Sequence, residues 1–484
     1  MMSALHKKQQ YFRLSFFWSL ACAIALAMLA GCGLMSKPPS VQLPKDLPTS
    51  WAAEVAIENL PITEGLLDLL DETPVKELVR EALRNNPDLH ATALRLQAAD
   101  YLLSAPRSRM LPALNARLSS ERDNQGTAPE TGRLKTENTH RLSLMLSWEL
   151  DLWGRLADEY AASEQEVIAQ EHHFLQARDA LAARVIQTWI EQVALRRSLA
   201  IQEERLAVLQ RIETLLVNRY KKGIGSQDEF STARSRTEIA KADVSALRAA
   251  WLQTIRTLEI LLGRYPKGEW LEVTDLPTVT TPIAPTPATA LLNRPDIQAA
   301  VARAEMARYV AAAAQKALLP ELRLSGILFK ESAELGGVGG SSSYWNILGA
   351  LFQPLFEGGR IINESQARRS EAKAALLELR QVVLQALKEA EDAFDLEHEL
   401  AAQADALKAA TRESEKSSRY FVKRYRQGLD NLQTLLIAKE QEMAVKVRHN
   451  GVIAGRLKNR VDLALALGMG LDNESVLAAG DTMP

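Results

Sequence analysis

Asn293-Arg294-Pro295-Asp296 repeats the pattern of Asn85-Asn86-Pro87-Asp88, 208 residues further along the chain. Two more matches share this offset: Tyr101 with Tyr309, and Leu111-Pro112 with Leu319-Pro320. Four later matches share an offset of 205: Gly154-Arg155 with Gly359-Arg360, Arg219-Tyr220 with Arg424-Tyr425, Gly223 with Gly428, and Leu262-Gly263 with Leu467-Gly468. Constant spacing over this many positions indicates an internal duplication. The three-residue change in offset predicts a loop of variable length between Pro112 and Gly154.

Each copy contains a run of 68 residues without Gly or Pro, at 155–222 and 360–427. Because Gly and Pro are the strongest helix breakers, each run predicts one long helix of about 100 Å. Shorter helices are predicted at four further places: 87–109, 227–262, 295–317 and 432–467. The combined length of one returning helix (227–262 or 432–467) and one shorter helix (87–109 or 295–317) is nearly that of one long helix. The pattern therefore predicts pseudo-continuous helices in a long antiparallel array.

A tight turn follows each long helix. Copy one reads Arg219-Tyr220-Lys221-Lys222-Gly223-Ile224-Gly225-Ser226-Gln227-Asp228, and copy two reads Arg424-Tyr425-Arg426-Gln427-Gly428-Leu429-Asp430-Asn431. Gly can close the first helix in the left-handed conformation, with basic residues in its last turn. Ser226 in copy one, and Asp430 or Asn431 in copy two, can cap the returning helix.

The segments at about 113–150 and 320–356 alternate in polarity instead. Leu142, Leu144 and Leu146 alternate with Arg141 and Ser143, which predicts strands with one apolar face. The glycine-rich run 336–343 lacks the features of a phosphate-binding loop and is interpreted as a surface loop. Four strands cannot close a membrane barrel, which needs about eight, and open edges are not tolerated in lipid. Two, three or more chains must therefore build the wall jointly.

The N-terminus carries an export signal. Lys7, Lys8 and Arg13 precede the uncharged apolar run 14–29, which is typical of a secretory signal peptide at 1–31. The order Leu29-Ala30-Gly31-Cys32 resembles the bacterial lipoprotein lipobox, which implies lipidation of Cys32, and Gly33 in place of Asp implies the outer membrane. The Pro-rich residues that follow suit an extended tether at 32–61.

Composition excludes several functional classes. The formal net charge of −2 does not fit nucleic-acid binding, and two cysteines exclude a disulfide scaffold or a Cys-rich metal site. His172 and His173 are adjacent, so on a helix they cannot share a metal ion as an i,i+4 pair does. No catalytic residue, metal site or cofactor is predicted, and the chain is expected not to be an enzyme.

Taken together, these motifs resemble the outer membrane factor (TolC-like) family of efflux lipoproteins. The resemblance rests on the lipobox, on residues 293–297, on Trp148-Glu149-Leu150-Asp151-Leu152-Trp153-Gly154-Arg155, and on Pro354-Leu355-Phe356-Glu357-Gly358-Gly359-Arg360. It covers residues from about 60 to 470. It implies a mainly α-helical fold with a membrane β-barrel portion: a homotrimeric twelve-stranded barrel in the Gram-negative outer membrane, continuous with a periplasmic α-helical barrel.

The resemblance also implies partners and sites. The partners are a periplasmic adaptor and an inner-membrane pump of the RND or ABC type, besides outer-membrane lipid. In such proteins an Asp matching Asp430 rings the closed periplasmic end, although Thr434 and Ile437 replace further acids; Asp430 as a helix N-cap is the alternative. Asp228 is expected to be a capping or first-turn acid. The implied adaptor-docking tips are Lys222, Gly223, Ile224, Gln427, Gly428 and Leu429.

The predicted organisation has two repeats and a linker. Repeat one spans 62–263, with a helix hairpin at 155–263; the linker is 264–288; repeat two spans 289–468, with a hairpin at 360–468; a tail covers 469–484. The predicted function is the outer-membrane exit duct of a tripartite efflux or secretion system. The alternative is a lipid-anchored periplasmic coiled-coil scaffold or adaptor without a pore.

Overall fold

The structure is a computed structural model that describes residues 40–471 apart from 42, 44–46, 54–64, 70–72, 128–133, 270–275, 278, 283 and 341. The signal peptide, Cys32 and the end of the tail lie outside the described residues. The helices are α1 (Thr73–Asn85), α2 (Pro87–Arg109), α3 (Arg155–Lys221), α4 (Gln227–Leu261), α5 (Pro287–Asn293), α6 (Pro295–Lys316), α7 (Arg360–Arg426) and α8 (Leu432–Ala466). None of these helices is long and apolar enough to cross a membrane.

The two copies have nearly identical helices. The long helices α3 and α7 contain 67 residues each, and the returning helices α4 and α8 contain 35 each. The shorter helices α2 and α6 contain 23 and 22 residues. All six agree with the predicted ranges to within one residue, because Gly or Pro lies within two residues of most of their ends. The shorter α1 and α5 were not predicted individually.

Four antiparallel strands form one sheet in the order β1-β2-β3-β4. Their bounds are β1 (Ala113–Thr127), β2 (Leu134–Leu150), β3 (Glu321–Ser332) and β4 (Ser343–Phe352). The strand prediction is confirmed in both copies, and the glycine-rich run lies in the connection from β3 to β4. Within the described residues, β1 and β4 pair on one side only, so each leaves one edge open.

The register places all the predicted apolar positions on one face of the sheet. Leu114 pairs with Leu146, Leu144 with Leu328, and Leu328 with Trp345. The apolar side chains on this face are strongly exposed, with Leu114 at 67% and Trp345 at 73%. An exposed apolar face of this size marks a surface that another apolar phase covers. The opposite face carries ion pairs, such as Arg141 with Glu331 at 2.8 Å, although on β4 it also exposes Leu348 and Phe352.

The chain forms two compact units, and each long helix contributes to both. One unit contains the sheet and includes residues 96–171 and 299–380. The other includes 65–95, 172–298 and 381–471 and contains the largest apolar core. Trp189, Ile186 and Ile190 lie at the centre of that core and are at most 2% exposed. On α7, Leu379 and Val383 are buried, whereas Leu376, three residues before Leu379, is 41% exposed.

In the second unit, the C-terminal end of each returning helix meets the break that precedes a shorter helix. Asn86 donates its side-chain amide to the carbonyl oxygen of Leu261 at 2.9 Å. Gly263 has φ +72°, and a Cβ there would collide with the carbonyl oxygen of Asn85. Gly468 takes the same position in copy two, with φ +77°, against Ala290 and Asn293. These close approaches explain why both copies end their returning helices in Leu-Gly.

Candidate gate and docking turns

The turn of copy two reverses the chain between α7 and α8. Gly428 has φ +72°, and the N–H groups of Gly428 and Leu429 donate to the carbonyl oxygens of Tyr425 and Arg424, each at 3.0 Å. This Gly-centred pattern satisfies the last carbonyl groups of a helix. The turn leaves Leu429 59% exposed and places Asp430 two residues before the start of α8.

Asp430 is ion-paired within its own chain. Its carboxylate contacts the guanidinium of Arg424, which also donates to the Tyr420 hydroxyl at 3.2 Å and the Leu429 carbonyl at 3.3 Å. The acid predicted to ring the periplasmic end is therefore balanced by a cation six residues away. The sequence alone did not predict Arg424 as its partner, because only the folded turn brings the two side chains together.

The alternative role of Asp430 as a helix N-cap is wrong. Asn431 is the N-cap of α8, and its side-chain oxygen accepts a hydrogen bond from the N–H of Thr434 at 2.9 Å. Both residue types are good caps, and only the backbone geometry at the helix start selects between them. Asp430 is thereby left free to pair with Arg424.

The turn of copy one has the same backbone but lacks the acid. Gly223 has φ +76°, and Ser226 caps α4 by accepting from the N–H of Glu229 at 3.4 Å. Gly225 stands where copy two has Asp430, since the offset between the turns is 205. Asp228 lies in the first turn of α4, as predicted, and its hydrogen bond with Ser226 lowers its pKa. Only the turn of copy two thus carries an Arg–Asp pair.

The outermost apolar side chains of both turns occupy equivalent positions. Ile224 is 65% exposed and Leu429 is 59% exposed. A Cβ added to Gly223 or Gly428 would meet no atom within 4 Å. Each turn therefore presents one bare aliphatic side chain beside an unobstructed glycine.

Next to the turns, α8 packs against the α3–α4 hairpin within the same unit. Leu209, Ala240 and Leu436 form a small apolar cluster. Beside it, Glu440 pairs with Arg236 at 3.1 Å and with Arg205 at 3.7 Å. The sequence did not predict these contacts between the two hairpins of one chain, because the spacing of residues within a helix does not show which distant helix packs against it.

Glu442 lies at a charged contact between α7 and α8. It accepts from Lys439 and Lys446 at 2.8 Å each, and Lys446 also pairs with Glu415 on α7 at 3.0 Å. Burial alone would raise the pKa of Glu442, but the lysine hydrogen bonds outweigh it and lower the pKa to about 2. The carboxylate is thus stabilised in its charged form.

We expect this contact to weaken in acid. Since the folded pKa of Glu442 lies below its ordinary value of 4.5, its contribution is complete above that pH and is lost as pH falls towards 2. Glu442→Gln should cost about 1 kcal/mol at pH 7, after allowance for solvent screening. Thermal unfolding at pH 7, 4.5 and 3 should show a smaller difference between the variant and the wild type at each lower pH. An equal difference at all three values would contradict the assignment.

At the other end of α3, Trp148–Arg155 form the junction between β2 and the helix. The indole N–H groups of Trp148 and Trp153 donate to the carbonyl oxygens of Met110 and Pro320 at 3.0 and 2.7 Å. Asp151 caps the helix by accepting from the N–H groups of Leu156 and Ala157. The motif therefore fixes the direction in which the long helix leaves the sheet.

Arg294, in the duplicated motif, is a buried cation with three partners. It is 9% exposed and forms ion pairs with Asp296 at 2.6 Å and Glu389 at 2.7 Å. It also donates to the carbonyl of Ala466 at 3.3 Å, which is the copy-two equivalent of the bond from Asn86 to Leu261. Arg294 thus holds α6, α7 and α8 together.

No group of three or more His, Cys, Asp or Glu residues is placed to hold a metal ion in the described ranges. The geometry instead combines a sheet with one apolar face, long helix hairpins and exposed turns.

The model of a known family matches residues 78–264 and 286–469, and its description is "Outer membrane efflux protein". The chain belongs to the outer membrane efflux protein family. It is an outer-membrane efflux channel, and channels of this family are trimers that work with an adaptor and an inner-membrane pump. The family assignment decides against the poreless scaffold.

Individual relatives agree with this assignment over nearly their full length. The efflux channel is 28% identical to outer membrane protein OprJ of Pseudomonas aeruginosa, over 93% of this chain and 95% of OprJ. It is 26% identical to the toluene efflux pump outer membrane protein TtgF of Pseudomonas putida, over 95% and 98%. The solved Campylobacter jejuni CmeC outer membrane channel shares the fold, with a TM-score of 0.84 at 24% identity, over 93% and 99%.

Proposed function

We propose that three copies of this chain form the exit duct of a tripartite efflux system, anchored by lipid on Cys32 and with no enzymatic activity. The observation that carries the proposal is the four-stranded sheet, which has one apolar face, an opposite charged face with ion pairs on β2 and β3, and two open edges. Joining edges between chains pairs every strand and turns the apolar face to lipid. The charged face then lines a water-filled passage.

The charged face favours a passage that does not sort solutes by charge. It carries arginines and glutamates that pair with each other, such as Arg141 with Glu331 at 2.8 Å and Arg323 with Glu321 at 2.6 Å. We infer that substrate choice lies with the pump, which is of the RND or ABC type. TtgF is named for toluene, and a solute of this kind is a suitable first test substrate.

In this duct, the turn of copy two is the periplasmic gate. The Arg424–Asp430 pair from each of three chains lies near a common axis, where it narrows the passage. The exposed turns Lys222-Gly223-Ile224 and Gln427-Gly428-Leu429 receive the tip of a periplasmic adaptor. Equivalent aliphatic side chains in the two turns provide similar adaptor contacts on each chain.

The duct is tested by planar-bilayer recording of the full chain purified from outer membranes. We expect discrete conductance steps in lipid bilayers. A bilayer that stays silent while chemical crosslinking shows intact trimers would contradict the proposal.

Docking at the turns is tested by Leu429→Asp. Because Leu429 is 59% exposed, the change should leave folding and trimer assembly unaltered. Burying a carboxylate in an apolar contact should lower adaptor affinity by about tenfold or more, so export in cells should fall. Leu335→Asp is the matched control, because Leu335 is 60% exposed and lies in the β3–β4 connection. Equal export by both variants would contradict docking at this turn.

A further inference from the structure

Within one chain, α8 of copy two lies antiparallel against α3 of copy one. Asn450 donates to the carbonyl of Ala194 at 2.7 Å, and Gln187 donates to Asp462 at 2.6 Å. We call this contact the repeat seam. It is apolar at its centre, where Ile186 and Ile190 are 0% exposed and Val461 is 1% exposed.

The duplication predicts a second seam of the same kind. When copies one and two alternate around a ring, α4 of copy one must meet α7 of copy two from a neighbouring chain. We propose that the α4 face bearing Ala249, Leu252 and Arg256 docks on the α7 face bearing Glu391 and Asp395 of a second copy of this chain. This proposal rests on the ring assembly of the proposed function and names the residues that join its subunits.

The charges at equivalent positions are complementary. With the offset of 205, Val461 of the repeat seam becomes Arg256, while Ile186 and Ile190 become Glu391 and Asp395. An apolar contact inside the chain is thus replaced by a cation on one face and two acids on the other. Glu391 already accepts from the N–H groups of Ala52 and Ala53 at 2.8 and 2.9 Å, so Asp395 is the acid left for a second copy. Arg256 and Asp395 are both exposed, and neither forms an ion pair with any described residue. An ion pair between chains would use both charges and fix the register of docking.

A hydrogen bond at one end of the repeat seam has no counterpart at the equivalent positions of the second seam. In the repeat seam, the N–H of Leu471 donates to the buried carboxylate of Asp179 at 3.1 Å. The equivalent residues are Pro266, which has no N–H to donate, and Leu384, which has no acceptor. Tyr265 beside Pro266 is 80% exposed, and Leu384 is 52% exposed. A polar contact inside the chain is therefore replaced by two bare apolar side chains.

The α4 face also carries apolar residues that lack the cover of their equivalents. Leu457 on α8 is 7% exposed in the repeat seam, whereas its equivalent Leu252 is only partly buried. Leu465 packs against the core, but its equivalent Ile260 is 57% exposed. Covering these side chains with α7 of a second copy would remove them from water.

A charge-reversal cycle tests the pairing. Arg256→Glu and Asp395→Arg should each shorten the lifetime of the purified trimer by about tenfold or more, because each places like charges together. The double variant should recover most of that lifetime. Arg248→Glu combined with Asp395→Arg is the matched control and should not recover, because Arg248 pairs with Glu203 inside its own chain at 2.8 Å. A double variant no better than the worse single variant would overturn the pairing.

Cysteine crosslinking tests the docking without relying on charge. Tyr265→Cys combined with Leu384→Cys should give disulfide-linked dimers and trimers in membranes under mild oxidation. The control pair, Tyr265→Cys with Leu396→Cys, lies about 18 Å further along α7 and should give few. Only monomers from the first pair, in a protein that still forms trimers and conducts, would overturn this seam while leaving the duct intact. A protein that neither forms trimers nor conducts would overturn the duct itself.

Discussion

Replacing Arg294 with methionine is expected to lower the thermal midpoint of the purified channel by about 10 °C. Arg294 is 9% exposed and pairs with Asp296 and Glu389. Removing one partner of a buried charge network leaves the other charges uncompensated and costs about 3–5 kcal/mol. For a protein unit of this size, about 1 kcal/mol corresponds to a shift of about 2–4 °C.

Two further substitutions separate charge from geometry at this site. Arg294→Lys keeps the charge but loses the planar fork that serves Asp296 and Glu389 together, so we expect an intermediate loss. Arg294→Asn installs the residue of copy one, which can reach the Ala466 carbonyl as Asn86 reaches Leu261 at 2.9 Å. It still leaves both acids unpaired. Asn86→Ala should cost only about 1–2 kcal/mol, since it removes neutral hydrogen bonds.

These variants are compared by differential scanning fluorimetry of the full chain in detergent. The expected order of midpoints is wild type, Asn86→Ala, Arg294→Lys, then Arg294→Asn and Arg294→Met. If Arg294→Met melts with the wild type, the network does not hold the three helices together.

The sequence predicted the helices and strands well because local signals mark their ends. Gly223 and Gly428 close the long helices in the left-handed conformation, which favours glycine over every other residue. The alternation of apolar and polar residues in β2 predicted which side chains form the apolar face of the sheet. This works because successive side chains of a strand point to opposite faces. Because the chain is duplicated, each helix or strand predicted in one copy was supported by its equivalent in the other copy.

The partners of individual charges could not be predicted in the same way. Arg294 and Glu389 are 95 residues apart, and no spacing in a single sequence shows that α6 and α7 meet there. In the turn of copy two, Asp430 and Asn431 are both good N-cap residues, and the choice depends on the backbone angles at the start of α8. The exposure of Leu376 likewise depends on what lies beside α7, although Leu376 is only three residues from the buried Leu379.

Replacing Asp430 with alanine is expected to raise the open probability of the channel in planar bilayers. In the proposed gate, the change would leave the three Arg424 guanidinium groups without their acids, and like charges would repel across the constriction. Each chain then loses the ion pair of the proposed closed arrangement, and a trimer loses three such pairs. The ratio of open to closed channels should therefore rise by about tenfold or more. The open channel should also favour anions.

The matching substitution Arg424→Ala distinguishes a paired gate from a purely acidic ring. If the pair forms the gate, Arg424→Ala leaves three carboxylates, so opening should also rise, but with a preference for cations. The double variant removes both charges and should lie closer to the wild type than either single variant. Reversal potentials in a salt gradient measure the preference, and single-channel records measure the opening.

Asp228→Ala is the control for a charge at the turns that is not part of the gate. Asp228 lies at the start of α4 in copy one, where it interacts with Ser226 and has no arginine partner within the described residues. Its removal should leave conductance and ion preference unchanged. A purely acidic ring would instead predict that Arg424→Ala strengthens cation preference without more opening, and that the double variant behaves as Asp430→Ala does. In a paired gate, Asp430→Ala leaves three unpaired guanidinium groups, and Arg424→Ala leaves three unpaired carboxylates. The two single variants must therefore shift ion preference in opposite directions.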